Sequence, residues 1–261
     1  MDGKRPLLDK RVLITRAKEQ SLKFARRIEE TGGVPVITPL LKIEANYNDE
    51  SVMKKLQTFD SIVFTSVNGV IFFKQYLDLH NIPFHSLNSF VVAAVGIKTR
   101  KEIESLGVSV QIMPTEFIAE ELADEIANKL EKKSSILIVR GNLARPVLIE
   151  HLKAEEFTVT DLVVYNTIHN DEEEMVLKKL LEENKLDFIT FTSPSTVHSF
   201  MKIIDKEKYK EYLEKLTIIS IGPITNNALK EYGLNGFMPL EYTTDKMVEL
   251  MESICNNGRN M

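Results

Sequence analysis

The chain has 261 residues, 43% hydrophobic and 27% charged, a length that suits about two domains or one large one around a buried core. Eleven glycines and nine prolines exclude collagen-like and broadly disordered classes. With 33 Lys+Arg against 38 Asp+Glu, net −5, no global field favours a phosphate backbone, so nucleic acid is not an expected partner.

A lone Cys255 makes no internal disulfide and no Cys-paired zinc site, which points to a reducing compartment, the cytoplasm. The amino end, MDGKRPLLDK, lacks the apolar stretch of a signal peptide, and the longest apolar run, around Phe90 to Val95, is far short of a membrane span. Five scattered histidines show no HExxH spacing, and neither GxGxxG nor GxxxxGK[ST] occurs. Metal, dinucleotide and P-loop chemistry therefore have no support in the sequence.

In chain order, RVLIT from Arg11 reads as a strand, and KEQSLKFARRIEETGG as a helix with Leu22, Ala25 and Ile28 on one face and the glycines as its stop. VPVITPLLKIE is β-rich but broken by Pro35 and Pro39, which suits an edge or connecting strand. SIVFTS, VNGVIFFKQYLDL, FVVAAVG and IKTRKEIESLG follow as strand, helix, strand and helix. Strands alternating with helices predict an α/β fold with parallel sheets.

The second half repeats the first. LITR (13–16) matches LIVR (137–140), IVFTS (62–66) matches ITFTS (189–193), VGIKT (95–99) matches IGPIT (221–225), and MPTEFIAEELADEI (113–126) parallels MPLEYTTDKMVELM (238–251). A period of about 125 residues implies two duplicated domains in place of a solenoid.

Ligands of parallel α/β sheets gather at the carboxyl ends of strands, where loops enter helix N-termini. The repeated signatures fall there: Thr65, Ser66 and Asn68 after one strand, Thr192, Ser193 and Ser195 after its copy, and the segments Gly96 to Thr99 and Gly222 to Thr225 with the threonines expected as N-caps. Four such ends facing a cleft would bind several carboxylates through free N–H groups and helix dipoles, which lets a net-acidic protein hold a polyanion. Ser and Thr before a helix are caps first and ligand groups second, and duplication copies caps as well.

Arg16 and Arg140 end matching strands and Arg145 stands at the following helix; each is shaped for a carboxylate, although a surface arginine is usually just solvated. Tyr165, in DLVVYNTIH, ends an apolar β-run and would by default be a core or interface aromatic. On physical grounds alone the proton donor of any reaction stays undecided.

The ordered set LITR, VFTSVNGV, AAVGIKTRKEIESLG, LIVRGN, VVYNTI, TFTSPSTV and SIGPITNNALKEYG, spread over nearly the whole chain, resembles uroporphyrinogen-III synthase. The resemblance implies two parallel-sheet α/β domains joined by two extended connectors, with a hinged cleft. Residues 1–35 with 171–261 would form one domain and 39–164 the other, with 36–44 and 161–169 as paired connectors. The implied reaction belongs to heme biosynthesis: a lyase cyclises hydroxymethylbilane with loss of water and inversion of the last pyrrole ring, without a cofactor. Tyr165 is then the candidate for assisting the departing hydroxyl. Arg16, Thr65, Ser66, Asn68, Lys98, Thr99, Arg140, Gly141, Asn142, Arg145, Ser193, Ser195 and Thr225 are the candidates for binding the substrate's eight carboxylates. Some members carry a Lys on the strand before the IGP loop where this chain has Thr217, which shifts carboxylate binding toward Arg140, Arg145 or Lys98.

A monomer is expected, with no nucleic acid or membrane partner, and a transient contact with the preceding pathway enzyme is left open. The alternatives are a non-catalytic tetrapyrrole-binding or regulatory module on the same scaffold, and a two-domain solute-binding protein, against which the missing signal peptide weighs. A receiver domain is disfavoured because no acidic cluster follows the first strand.

Overall fold

A computed structural model describes residues 5–116, 118–204 and 206–258; residues 1–4, Phe117 and 259–261 of the segments read above lie outside it. In chain order the elements are β1 (Arg11–Ile14), α1 (Lys18–Glu30), β2 (Val34–Ile37), β3 (Leu41–Ala45), α2 (Glu50–Lys54), β4 (Ser61–Phe64), α3 (Val67–Leu79), β5 (Val91–Ala94), α4 (Ile97–Ser105) and α5 (Ala119–Lys129). Then come β6 (Ser135–Gly141), α6 (Val147–Ala154), β7 (Thr158–His169), α7 (Glu174–Glu182), β8 (Phe188–Phe191), α8 (Pro194–Ile203), α9 (Lys206–Lys215), β9 (Thr217–Ser220), α10 (Pro223–Glu231) and α11 (Thr244–Gly258). The chain divides into two compact units, residues 1–42 with 168–261 and residues 43–167. No helix among the described residues is long and apolar enough to cross a membrane.

The discontinuous unit holds a four-stranded sheet in the order β2-β1-β8-β9, with every neighbouring pair parallel. Its strands are mostly apolar, because both faces are covered: Leu13, Ile189, Phe191 and Ile218 feed one core, and Val12, Ile14, Phe188 and Ile219 the other. Two buried threonines fasten β1 to β8 reciprocally, Thr15 Oγ1 donating to the Thr190 carbonyl and Thr190 Oγ1 to that of Leu13, both at 2.8 Å. Pro35 sits in β2 on the sheet edge, where its missing N–H leaves no ladder bond unmade.

The face that α1 buries is Ser21, Phe24, Ala25 and Ile28, whereas Leu22 is 58% exposed. Ala25 and Ile28 lie on the expected face and Leu22 alone does not: positions 21, 24, 25 and 28 share one helical face, and Leu22 lies about 100° away from Ser21.

The continuous unit holds a five-stranded sheet in the order β3-β7-β6-β4-β5, of which the β7-β6, β6-β4 and β4-β5 pairs are parallel. Ile62, Phe64, Leu137 and Val139 point into one core, and Val63, Ile136 and Ile138 into the other, as strict alternation demands. Tyr165 does not end its strand: β7 runs twelve residues, through to His169. The register of β6 against β7 shifts at Arg140/Gly141, so that Arg140 faces Val163 and Gly141 faces Tyr165. This bulge puts Tyr165 on the same side as Leu162 and Val164, which a regular strand would forbid.

Candidate active site

In the continuous unit the parallel order β7-β6-β4-β5 places the carboxyl ends of β4, β5 and β6 along one edge of the sheet, together with the Tyr165 stretch of β7. Ser66, just past β4, is the N-cap of α3 in extended backbone, and its Oγ accepts the Gly69 N–H at 3.0 Å. The same Oγ lies 3.1 Å from the Tyr165 hydroxyl, with either oxygen able to donate. Phe72, one turn further along α3, stacks on the Tyr165 ring at 5.5 Å between centroids. On the other side the ring lies directly over Gly141, where a Cβ would overlap it and fall 2.7 Å from the hydroxyl oxygen. The half-buried phenol is thus held by a backbone cradle, an aromatic stack and one hydroxyl, with no carboxylate or cation among these contacts.

Thr65 donates to the Val139 carbonyl at 3.3 Å and ties β4 to β6. Asn142 carries the β6–β7 ladder past the bulge, its side chain accepting the Thr167 N–H at 2.8 Å and donating to the Thr167 carbonyl at 3.2 Å. Asn68 is half-buried in the first turn of α3.

Arg140 already holds a carboxylate of its own chain. Its guanidinium forms a bidentate pair with Asp161, both contacts at 2.6 Å, and donates to the Ala144 carbonyl at 2.7 Å. This pairing raises its pKa above the ordinary arginine value, mainly through the Asp161 hydrogen bonds. Cross-strand register makes the pair: Arg140 faces Val163 on β7, two residues from Asp161 on the same side of the strand. Arg145 lies in the turn before α6 and is exposed, as is Lys98 at the second position of α4. Thr99 does not cap its helix either. Gly96 is the N-cap, and Thr99 lies a turn inside α4, buried.

The discontinuous unit repeats these local arrangements. Ser193 is the N-cap of α8, accepts the Thr196 N–H at 3.4 Å and lies 3.0 Å from Ser195 Oγ. Gly222 caps α10, which again leaves Thr225 inside the first turn and buried, not at the cap. The Tyr242 side chain lies against Gly222, where a Cβ would come within 3.1 Å of its ring. Arg16, two residues past β1, donates to Gln20 Oε1 at 3.0 Å while its Nε is buried with no hydrogen-bond partner. Burial lowers its pKa.

Phe72 and Asp161 were not singled out by the sequence, though both hold site residues in place. Phe72 lies inside the apolar run of α3, and only the contact with β7 distinguishes it from a core residue. Asp161 belongs to a run otherwise read as a connector.

A family model described as uroporphyrinogen-III synthase HemD matches residues 23–249. The chain is 34% identical over 238 residues to a uroporphyrinogen-III synthase of Chlorobaculum parvum, covering 89% of this chain and 94% of that protein. It is 27% identical over 254 residues to the porphyrin biosynthesis protein HemD of Ruminiclostridium josui, covering 96% of this chain but spanning only 50% of that protein's length. The fold matches the crystal structure of uroporphyrinogen-III synthetase from Helicobacter pylori with a TM-score of 0.65 at 20% identity, over 95% of this chain and 100% of that one. These matches favour a synthase of porphyrin biosynthesis over a non-catalytic module on the same scaffold, and the chain belongs to the uroporphyrinogen-III synthase family.

Proposed function

We propose that this chain is a lyase that closes hydroxymethylbilane to uroporphyrinogen III, with Tyr165 assisting the departing hydroxyl. The observation that carries the reading is the Tyr165 hydroxyl held at 3.1 Å from Ser66 Oγ, with the ring packed on Gly141, which has no side chain to displace it. A phenol keeps its proton at neutral pH and can donate it. If Ser66 donates to the tyrosine oxygen, the phenolic proton is left to point at substrate. Proton transfer to the hydroxymethyl group releases water, while the adjacent pyrrole nitrogen's electron pair forms the azafulvenium cation. Attack by the substituted carbon of the last pyrrole, migration of its methylene bridge and loss of the final ring proton return one proton to the phenolate. Atoms then balance as bilane to macrocycle plus water.

Carboxylate binding rests, in this reading, on the first turns of α3 and α4 in the continuous unit and of α8 and α10 in the other, supplemented by Lys98 and Arg145. Helix N-termini supply donors without needing a net positive protein. The two-domain partition at 1–35 with 171–261 and 39–164, with 36–44 and 161–169 as connectors, fits the parallel pairing of β1 with β8. Internal duplication is supported by matched details, such as the isolated parallel bridges Ala93 to Ile112 and Ile219 to Phe237. We read the chain as a cytoplasmic monomer with one small-molecule substrate.

The test is incubation with freshly generated hydroxymethylbilane and separation of the type I and type III isomers after oxidation. Enrichment of type III over the spontaneous type I background supports the synthase. Type I alone, at any protein concentration, assigns the chain to a binding module.

A further inference from the structure

Where β7 ends and the next helix begins, the sequence His169-Asn-Asp-Glu-Glu-Glu174 gathers three groups the reaction does not use. His169, Asp171 and Glu174 each present one ligand atom, and these atoms lie within 4.8 Å of one another; they form the one such cluster among the described residues. The His169 side chain is only 12% exposed, and its Nε2 is buried without a hydrogen-bond partner. That nitrogen points toward Asp171 Oδ1 at 3.7 Å and Glu174 Oε2 at 3.9 Å.

The tautomer follows from the hydrogen bonds on the opposite side of the ring. Ser199 Oγ spends its only proton on the Leu40 carbonyl at 2.8 Å, so toward His169 Nδ1, at 2.5 Å, it can only accept. Nδ1 therefore carries the proton, and a neutral ring turns the bare lone pair of Nε2 toward two carboxylates. Lone pair against carboxylate is unfavourable unless a cation stands between them. A histidine whose other nitrogen donates to a fixed acceptor is the usual ligating form, with the second hydrogen bond setting the ring's orientation.

We propose that His169 Nε2, Asp171 and Glu174 Oε2 form a three-ligand site for a divalent transition cation of the zinc class, a fourth position being left to water. Ligand atoms around tetrahedral zinc stand about 3.3 Å apart, so the 3.7 and 3.9 Å separations need only a small inward shift. Asp171 is 84% exposed, which gives both an entry path and the freedom to close. Lys178 pairs with Glu174 through the other oxygen, Oε1, at 2.5 Å, which leaves Oε2 on the side of His169 Nε2. Glu172 is turned to Lys42 at 3.9 Å and stays outside the set. The ion would clamp the end of β7 to α7 and, through Ser199, to α8, all within the discontinuous unit; its role is structural.

Zinc titration of the metal-stripped full chain, followed by calorimetry and by the thermal midpoint, tests this. One zinc per chain is expected to bind, raising the midpoint by about 5 °C at hundredfold excess over the dissociation constant. Asp171→Asn with Glu174→Gln, both partly or fully exposed and so compatible with folding, should abolish stoichiometric binding. Ser199→Ala should weaken it by about 10- to 100-fold through loss of the ring's orientation. Type III synthase activity of the metal-free chain should be unchanged by the carboxylate pair of substitutions, which separates this site from the reaction. Absence of stoichiometric binding at about 100 µM zinc, or binding undiminished in the double variant, overturns the proposal.

Discussion

The Tyr165 hydroxyl and Ser66 Oγ stand 3.1 Å apart, so a single serine joins the first turn of α3 to the phenol of β7 while also accepting the Gly69 N–H. Ser193, the corresponding cap in the other unit, has two aliphatic hydroxyls as its side-chain partners, Ser195 Oγ at 3.0 Å and Thr196 Oγ1 at 3.4 Å. The two caps are alike in local role and different in what they touch, and that difference can be measured.

Tyr165→Phe keeps the ring over Gly141 and the stack on Phe72 and removes only the hydroxyl. The rate of type III formation should fall by about 10²- to 10⁴-fold, the span of a lost general acid. Stability should change by no more than about 1.5 kcal/mol, one hydrogen bond. Retention of half the rate would assign Tyr165 to packing.

Ser66→Ala and Ser193→Ala should each cost about 1 kcal/mol of stability as lost N-caps, read from denaturant midpoints. Only Ser66→Ala should also slow type III formation, by roughly tenfold, because it alone frees the phenol. Equal rate losses in the two variants would show that Ser66 acts only as a cap.

Gly141→Ala places a methyl group where the Tyr165 ring now lies. The ring must leave the cradle, so the rate should drop to the level of Tyr165→Phe, with overpacking costing about 1 to 3 kcal/mol. Combining the two substitutions should lower the rate no further; additive losses would mean that Gly141 acts elsewhere.

Arg140→Lys breaks the two-pronged pair with Asp161 and should destabilise the protein by about 1 to 3 kcal/mol with little change in KM. Lys98→Ala and Arg145→Ala should show the converse, near-native stability and a KM raised about threefold to tenfold, the increase shrinking at high salt. A large KM effect from Arg140→Lys at unchanged stability would return that residue to the binding set.

Much of the fold was legible because its strands are short, apolar and followed by amphipathic helices. Phe188–Phe191 and Ser61–Phe64 are buried at every position, and three apolar residues out of four in each run point to it. Within the helices the reading was coarser. Leu22 looked like a core residue by type, and only the positions of Ser21 and Phe24 show that the face is turned away from it. Thr99 and Thr225 looked like caps by type, but Gly96 and Gly222 take that position because the helices start three residues earlier. The least legible features were those set by register. The Arg140–Asp161 pair depends on how β6 and β7 are aligned, the packing of Tyr165 with Val164 depends on a bulge that no local pattern announces, and Tyr165 itself was found through resemblance to a family.

The placement of β1 between β2 and β8 also sets an order of assembly. The continuous unit has all its strands once residue 167 has been made, whereas β1 gains its second neighbour only when β8 arrives, some 170 residues after β1 itself. At about 5 to 20 residues per second that interval is roughly ten to thirty seconds on the ribosome, with Val12, Leu13 and Ile14 paired on at most one side. An apolar strand left half-paired for so long invites chaperones or premature association with another chain, so the amino-terminal strand is where synthesis of this protein is most exposed to failure.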